Sequence, residues 1–277
     1  MMSGTAEAPV TNGMPAELPA PAFRPISGVQ YPAWAIPGGH LLLMWHCLSR
    51  IGRLLGNPMI RLVFLRQTYF VGVMGLRAIA LLAFTIGALV VTEATLLLGA
   101  RNSYLYDLLS WALVTEAAPL FVAIVVIGRS ASVISTELAL MKVRGEVRHL
   151  EHMRIDPRDY LALPRVLALT ASLLATTFYY QVISVIGGFA VCALLLHVSF
   201  VEQMQLLLEA LTARAILFAG VKTIVFGLMI GTIACFAGLY AGNTVNDVPR
   251  AQIEAYMRSL TFLVLSELLF SLAAFTL

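Results

Sequence analysis

The chain has 277 residues, of which 60% are hydrophobic and only 12% are charged, and its mean hydropathy is +0.87. Soluble domains carry about a quarter charged residues, so this composition excludes an ordinary soluble enzyme and a disordered chain alike. The net charge is only +3 and the basic residues are scattered between apolar blocks, which argues against nucleic-acid binding. We therefore expect an integral membrane protein with about five or six spans.

The N-terminal region differs from the rest of the chain. Residues 1–39 hold seven of the twelve prolines, and proline interrupts helices, so we predict a flexible Pro/Ala-rich cytoplasmic tail. No basic region followed by an apolar region indicates a signal peptide. Apolar residues then recur at helical spacing over residues 40–66, with arginines between them. This pattern predicts an amphipathic helix in the membrane interface, although a buried helix would show it too.

Apolar blocks fill the remaining part, residues 67–277, which we assign to one membrane domain. The predicted spans are residues 71–98, 107–137, 166–201, 213–242 and 256–277. As one helix, the third block would measure about 54 Å, against a hydrocarbon core of about 30 Å. It is therefore either a long helix that leaves the bilayer or two pieces broken at Gly187-Gly188.

Basic residues predict the orientation of the spans. They are concentrated before span one, between spans two and three, and between spans four and five, whereas only Arg101 and Arg214 lie on the other side. Because cytoplasmic loops carry the excess of Lys and Arg, the N-terminus is expected in the cytoplasm and the C-terminus outside it.

Residues 142–159, which we call the 142–159 segment, are the most polar stretch of the chain. Its apolar residues fall at helical spacing: Val143, Val147, Leu150 and Met153. This predicts a short amphipathic helix on the cytoplasmic side, followed by a helix that Asp156 caps and Pro157 begins. Such a helix could receive motion from an attached motor, but a solvated loop fits the periodicity equally well.

An ordered set of short motifs runs from span two into span three. In chain order it reads Gly128-Arg129-Ser130, Glu137-Leu138, Met141-Lys142-Val143, Glu146, Leu150, Met153, Ile155-Asp156-Pro157, Tyr160-Leu161 and Pro164-Arg165-Val166-Leu167-Ala168. This order resembles AGRxG…ELxxMxVxEExDALxxMGxDPxxYLxxPRxLA, the signature of the MlaE (YrbE-type) family of ABC transporter permeases. Further similarities are Glu116 with Pro119, Gly187-Gly188, and Lys222 with Phe226-Gly227. The resemblance covers roughly residues 60–277.

The resemblance implies an all-α integral membrane fold with an N-terminal interfacial helix, five transmembrane helices and a cytoplasmic coupling helix between the second and third. It implies the membrane subunit of a transporter that moves phospholipid or related lipid between the inner and outer membranes. The expected location is the bacterial inner membrane, with a periplasmic C-terminus. Expected partners are an ABC ATPase, a periplasmic MCE-domain protein, a second permease chain in a homodimer or heterodimer, and in some systems a STAS-domain protein.

The chain departs from the family pattern at several positions. Thr115 stands where the family has arginine, and Ala131 replaces a glycine. The 142–159 segment carries Arg148, His149 and Arg154 where the family favours Asp, Ala and Gly. These departures fit an alternative role, a divergent non-transporting half of a permease heterodimer that anchors a periplasmic MCE protein. An ion-driven secondary transporter would show inverted repeats, against which five spans argue.

Charged residues inside a span cost several kcal/mol unless they are paired or wetted. Glu116 and Lys222 match family positions, so we hypothesise that they bind the charged lipid headgroup or each other, with Lys222 attracting a phosphate. A structural ion pair that locks two helices is the alternative. Glu93, near the outer end of span one, could line the exit of the substrate path. Glu267 lies in the middle of span five without an evident partner, and its role stays open.

Other charged residues are assigned by position in the family pattern. Arg129 and Glu137, together with Arg165, are expected to form structural ion pairs with neighbouring helices. A further set is expected to dock into a groove on the ATPase, with apolar anchors and charges that set specificity: Glu146, Leu150, Glu151, Met153, Asp156 and Pro157.

No catalytic motif indicates an enzyme. Lys222-Thr223 follows Gly220-Val221, so the Gly-Lys-Ser/Thr of a nucleotide-binding loop does not occur, and neither GxSxG nor HExxH is present. The three cysteines show no metal-binding spacing. We expect no metal or cofactor on this chain, and we expect ATP and Mg²⁺ on the partner ATPase.

Overall fold

The computed structural model describes residues 39–50, 52, 58–100 and 102–276. All regular structure within these residues is helical. The predicted tail, residues 1–39, lies outside the described residues except for Gly39. The predicted interfacial segment, residues 40–66, falls on two helices, with residues 51 and 53–57 outside the described part. Its placement in the membrane interface stays a prediction.

The helices follow one another with few breaks. In chain order they are α1 (Gly39–Ser49), α2 (Pro58–Gly72), α3 (Leu76–Leu98), α4 (Ser103–Leu109), α5 (Ala118–Val126), α6 (Ser132–Val143), α7 (Glu146–His152), α8 (Leu163–Leu196), α9 (Phe200–Ala210), α10 (Ala213–Leu239) and α11 (Asp247–Thr276). A 3-10 turn joins α2 to α3. Three segments are π-helical. Ser110–Ala117 joins α4 to α5, Ile127–Ala131 joins α5 to α6, and Arg158–Ala162 leads into α8.

Five helical runs are long and apolar enough to cross a membrane, which confirms the predicted all-α membrane fold. They are span one (Arg61–Leu98), span two (Tyr104–Val143), span three (Arg158–Leu196), span four (Ala213–Leu239) and span five (Asp247–Ala273). Spans one, two, three and five each extend past a charged end of the apolar block predicted for them. An apolar block marks the part of a helix that fits the bilayer, whereas charged side chains can continue the helix into water.

Span three is continuous through Gly187 and Gly188, so the alternative of two broken pieces is wrong. The two glycines permit close helix packing. A Cβ on Gly188 would lie 2.6 Å from the Gly87 carbonyl oxygen in α3, and one on Gly87 would collide with the Ser184 carbonyl oxygen. Small residues allow such approach of membrane helices. The helix ends at Leu196, before the predicted residue 201, because His197 adopts a left-handed conformation with φ 53°.

Span three forms the middle of the bundle. Helix α8 packs against α2, α3 and α10, and α10 also packs against α6 and α11. The glycines of α10 lie in these contacts, since a Cβ on Gly227 would be 2.7 Å from Thr170 Cα and one on Gly231 would be 3.1 Å from Val166 Cα. Both glycines therefore serve packing within the chain.

Helix α1, the 142–159 segment and the connection between spans four and five meet at one end of the bundle. Lys142 Nζ donates to the Ala241 carbonyl oxygen at 2.6 Å, and Arg158 donates to the Tyr240 hydroxyl at 3.0 Å. His46 of α1 contacts Asp159 at 2.9 Å. We call this the 142–159 end. The connection between spans one and two and helix α9 lie at the opposite end, because the chain crosses the bundle between them.

Candidate functional site

A cluster of three charged residues lies inside the bundle, and we call it the buried charge cluster. Lys222 of span four is 0% exposed. Its Nζ lies 2.6 Å from Glu116 Oε2 of span two and 2.8 Å from Glu267 Oε1 of span five. The cluster therefore connects three of the five spans. Glu116 and Lys222 form an ion pair with each other, which was one of the two possibilities that the sequence left open.

Glu116 is carried by the first π-helical segment of span two. Pro119 has no N–H to donate to the Thr115 carbonyl oxygen four residues earlier, so the α-helical pattern cannot continue there. Ala118 N–H instead donates to the Leu113 carbonyl oxygen, five residues back. Gln181 Nε2 of span three donates to the neighbouring Val114 carbonyl oxygen at 2.9 Å. The wider helix re-aims Glu116, as π-bulges often do at functional sites.

The electrostatics of the cluster follow from its burial. A lone ammonium in the interior costs several kcal/mol, and the two carboxylates offset that cost. Each carboxylate side chain is 17% exposed, whereas the ammonium is enclosed. Glu116 Oε1 and Glu267 Oε2 are buried without a hydrogen-bond partner among the described residues. Because Lys222 is enclosed by these two side chains, an anion must displace a carboxylate before it can reach the ammonium.

Sequence reasoning did not assign Glu267 to the cluster. The position of Glu267 along its helix could have indicated this contact. Lys222 lies 17 residues before the end of α10, and Glu267 lies 20 residues after the start of α11. Two antiparallel helices joined by a short connection place such residues at similar heights. Whether the two side chains meet also depends on how each helix is rotated about its axis, and the position along the helix does not report that rotation.

Glu93 lies apart from this cluster. It is exposed in the last turns of α3, at the end of the bundle opposite the 142–159 segment. The ion pairs of Lys222 join it to Glu116 and Glu267 and not to Glu93, the third residue of the predicted substrate site.

The residues predicted to form structural ion pairs divide into two groups. Arg165 is buried, and its Nη2 lies 3.6 Å from Glu137 Oε2, which links spans two and three. Arg129, in the second π-helical segment, instead donates to the Phe70 carbonyl oxygen of α2 at 2.5 Å. A guanidinium can satisfy a backbone acceptor as well as a carboxylate, and sequence spacing does not distinguish the two.

The 142–159 segment contains one short helix, α7, which starts later than predicted. Gly145 precedes it with φ 81°, a left-handed conformation that ends α6 and separates the two helices. Asp156 Oδ1 accepts the Arg158 backbone N–H at 2.9 Å, as expected of a cap, and Pro157 is buried beside it. Among the residues predicted to dock the ATPase, Met153 and Glu146 are exposed, whereas Leu150, Glu151 and Asp156 are partly buried.

Asp159 was not singled out from the sequence, yet it joins α1 to the start of span three. The residue is buried in the third π-helical segment. His46 Nε2 lies 2.9 Å from its Oδ1, and Arg50 Nη1 lies 2.5 Å from its Oδ2. The possible ligand atoms of His46, Asp156 and Asp159 lie close enough to one another to hold a metal ion. The guanidinium of Arg50 already neutralises Asp159, so the geometry favours an ion pair over a cation site.

Comparisons with known proteins place these features in a family. The family model described as Permease MlaE matches residues 64–273. A probable ABC transporter permease protein of Rickettsia typhi is 28% identical over 222 residues, covering 79% of this chain and 85% of the relative. The chloroplastic protein TRIGALACTOSYLDIACYLGLYCEROL 1 of Arabidopsis thaliana is 30% identical over 61% of this chain and 49% of the relative. The intermembrane phospholipid transport system permease protein MlaE of Haemophilus influenzae is 29% identical over 50% of this chain and 54% of the relative.

Proposed function

Since the chain belongs to the MlaE permease family, we propose that it is the membrane subunit of an ABC transporter for phospholipid or a related lipid. The lipid passes between the inner and outer membranes. The observation that carries this proposal is the family match over residues 64–273, together with a relative named as a permease of intermembrane phospholipid transport. Five apolar helices long enough to cross a membrane agree with a multi-pass permease.

The buried charge cluster and Glu93 are the proposed contacts for the lipid headgroup. The Glu116 and Glu267 side chains each keep a small exposed surface whereas Lys222 has none, so a headgroup meets the two acidic residues before it meets Lys222. A headgroup phosphate reaches Lys222 only by replacing one carboxylate. Glu93 lies at the opposite end from the 142–159 segment, where a lipid would leave the permease. The cluster therefore supports headgroup binding coupled to helix separation.

The proposed energy source is ATP hydrolysis on a partner ATPase, which binds ATP and Mg²⁺. The concentration of arginines near the 142–159 end supports a cytoplasmic location for that end in the bacterial inner membrane, with a periplasmic C-terminus. The assembly further includes a second permease chain, a periplasmic MCE-domain protein and, in some systems, a STAS-domain protein.

One observation favours a second candidate, a non-transporting half of a permease heterodimer that anchors the MCE protein. Lys222 is enclosed by two carboxylates, so little positive charge is offered to a phosphate. In a non-transporting half of the heterodimer, the cluster would only hold the helices together.

Native mass spectrometry of the tagged chain, extracted from its host with a mild detergent, tests the proposal. Two copies with a nucleotide-binding ATPase and co-purified phospholipid are expected. One copy beside a second permease supports the heterodimer. Absence of any ATPase overturns the proposal.

A parallel experiment tests the role of the cluster. A Glu116→Gln variant is expected to assemble yet fail to restore the outer-membrane barrier in a deletion strain. Lys222→Ala, which also lowers the folded fraction, is compared with it at equal amounts of assembled protein. Full restoration by both variants contradicts headgroup binding by these residues.

A further inference from the structure

Helix α7 has an apolar side that faces the protein. Val147 is 5% exposed and belongs to the main hydrophobic core, and Leu150 packs against the same core. These two residues lie three positions apart, on one face of the helix. The side of α7 that faces away from the bundle is therefore formed by its polar residues.

The acidic side chains of the 142–159 segment are mostly held by the protein itself. Glu151 is partly buried and interacts electrostatically with Lys142. Asp156 caps the helix that follows, and Asp159 is bound by residues of α1. Glu146 is the exposed acid of this segment, and its Oε1 lies 4.0 Å from Arg144 Nη1.

The basic side chains of the same segment face outward. Arg144, Arg148 and Arg154 are exposed, and so are His149 and His152. The segment thus exposes three guanidinium groups and one carboxylate, that of Glu146. The apolar side chains of Met153, 62% exposed, and Ile155, 40% exposed, stand beside them. We name this surface the basic docking face; its members are Arg144, Arg148, His149, His152, Met153, Arg154 and Ile155.

We infer that the basic docking face binds an acidic groove of the partner ATPase and selects that ATPase by charge. The inference rests on the proposed function, because it assigns the chemistry of the contact through which the ATPase would act. Met153 and Ile155 supply apolar anchors, and the surrounding arginines favour a carboxylate-rich rim. The docking residues are then chiefly the outward cations, because Glu151 and Asp156 contact the protein itself.

The arrangement of α7 favours a protein partner over a lipid surface. A helix that lies on a membrane turns its apolar face toward the acyl chains and its cations toward the headgroups. In α7 the apolar face packs against the protein core through Val147 and Leu150, so it is not available to a membrane. The outward face of the helix has no apolar row to insert into a bilayer.

The test uses the complex extracted from native membranes with the tagged full-length chain. The variants are Arg148→Glu with Arg154→Glu, the matched neutral pair Arg148→Gln with Arg154→Gln, and Arg154→Glu alone. Arg214→Glu, an exposed position at the opposite end, makes the same change of charge far from the docking face. The ratio of ATPase to permease is measured by quantitative mass spectrometry between about 0.05 M and 0.5 M NaCl, a range that strongly changes screening. Elution volume and unfolding temperature verify that each variant is folded.

We expect the paired glutamates to lower the ATPase ratio about tenfold and the paired glutamines about threefold, because repulsion adds to lost attraction. Arg154→Glu alone lowers the ratio in the same direction, Arg214→Glu leaves it unchanged, and rising salt weakens the unmodified complex. Unchanged ATPase ratios in the folded glutamate variants overturn the inference. Loss of bound anionic phospholipid without loss of ATPase also overturns it, in favour of a membrane contact. An unmodified chain that carries no ATPase at any salt concentration overturns the proposed function itself.

Discussion

The buried charge cluster and the 142–159 segment treat charge in opposite ways. In the cluster, two carboxylates surround one ammonium, and Lys222 has no exposed surface. In the 142–159 segment, every acid except Glu146 is at least partly buried, and arginines such as Arg154 turn outward. The difference follows from solvent. Inside the bundle an unpaired charge is too costly to keep, whereas at the end of a helix water stabilises the charge and leaves its sign available to a partner.

The largest expected effect comes from opening the cluster. Lys222→Met leaves two carboxylates without their cation, and removing one partner of a buried ion pair costs about 3–5 kcal/mol. A folded fraction that falls sharply and a lower unfolding temperature in detergent are the expected measurements.

A triple variant sharpens this result. Lys222→Met combined with Glu116→Gln and Glu267→Gln removes the charges together, and replacement of a whole buried ion set is often close to neutral. Recovery of most of the lost unfolding temperature is expected. If the triple variant is less stable than Lys222→Met, the cluster is not held by mutual neutralisation.

A second effect is expected at Asp159, the buried acid of the 142–159 end. Asp159→Asn removes the charge that holds Arg50 and His46, and hydrogen bonds to charged groups contribute about 2 kcal/mol. Helix α1 should detach more often. Cys47 of α1 reports on this, because burial and, secondarily, the Asp159 carboxylate raise the pKa of its thiol to about 12.

Maleimide labelling at neutral pH measures the detachment of α1. The Cys47 thiol is protonated and 0% exposed in the unmodified chain, so its labelling should be slow. We expect about a tenfold faster reaction in Asp159→Asn, since both the exposure and the thiolate fraction rise. Cys192 and Cys235, also buried, are internal controls whose labelling should not change. Equal Cys47 rates in the two proteins would show that Asp159 does not hold α1.

A smaller effect is expected where the interior is closely packed. Gly188→Ala places a methyl group 2.6 Å from the Gly87 carbonyl oxygen, and overpacking costs about 1–3 kcal/mol. Gly220→Ala is the matched control, since a Cβ there meets no atom within 4 Å and alanine favours the helix. Thermal unfolding of both variants distinguishes the two sites. A Gly188→Ala protein as stable as Gly220→Ala contradicts the close approach of spans one and three.

The smallest effect is expected in the 142–159 segment. Gly145→Ala meets no neighbour, but the residue holds φ 81°, which costs about 1 kcal/mol for a residue with a Cβ. A lower unfolding temperature with unchanged fold is expected, together with faster hydrogen exchange in α7. A more protected α7 would indicate that the left-handed turn is not required.

The sequence by itself determined the membrane class, the five spans and the family, because each depends on local or ordered features. The transfer of apolar residues into a bilayer is nearly additive along the chain, so hydropathy located the spans without any structure. The family motif likewise lies on consecutive residues from Gly128 to Ala168. Span ends were less well predicted, since helices continue into water past the apolar blocks.

Only the tertiary structure decided which charged residues meet. It joined Glu267 to Lys222, assigned Arg129 to a backbone carbonyl, and placed Glu151 and Asp156 partly inside the protein. It also showed that Gly187 and Gly188 serve packing and do not break span three. These outcomes depend on how each helix is rotated and which neighbour it contacts. Rotation is fixed by the packing of all the helices at once, and no window of sequence carries that information.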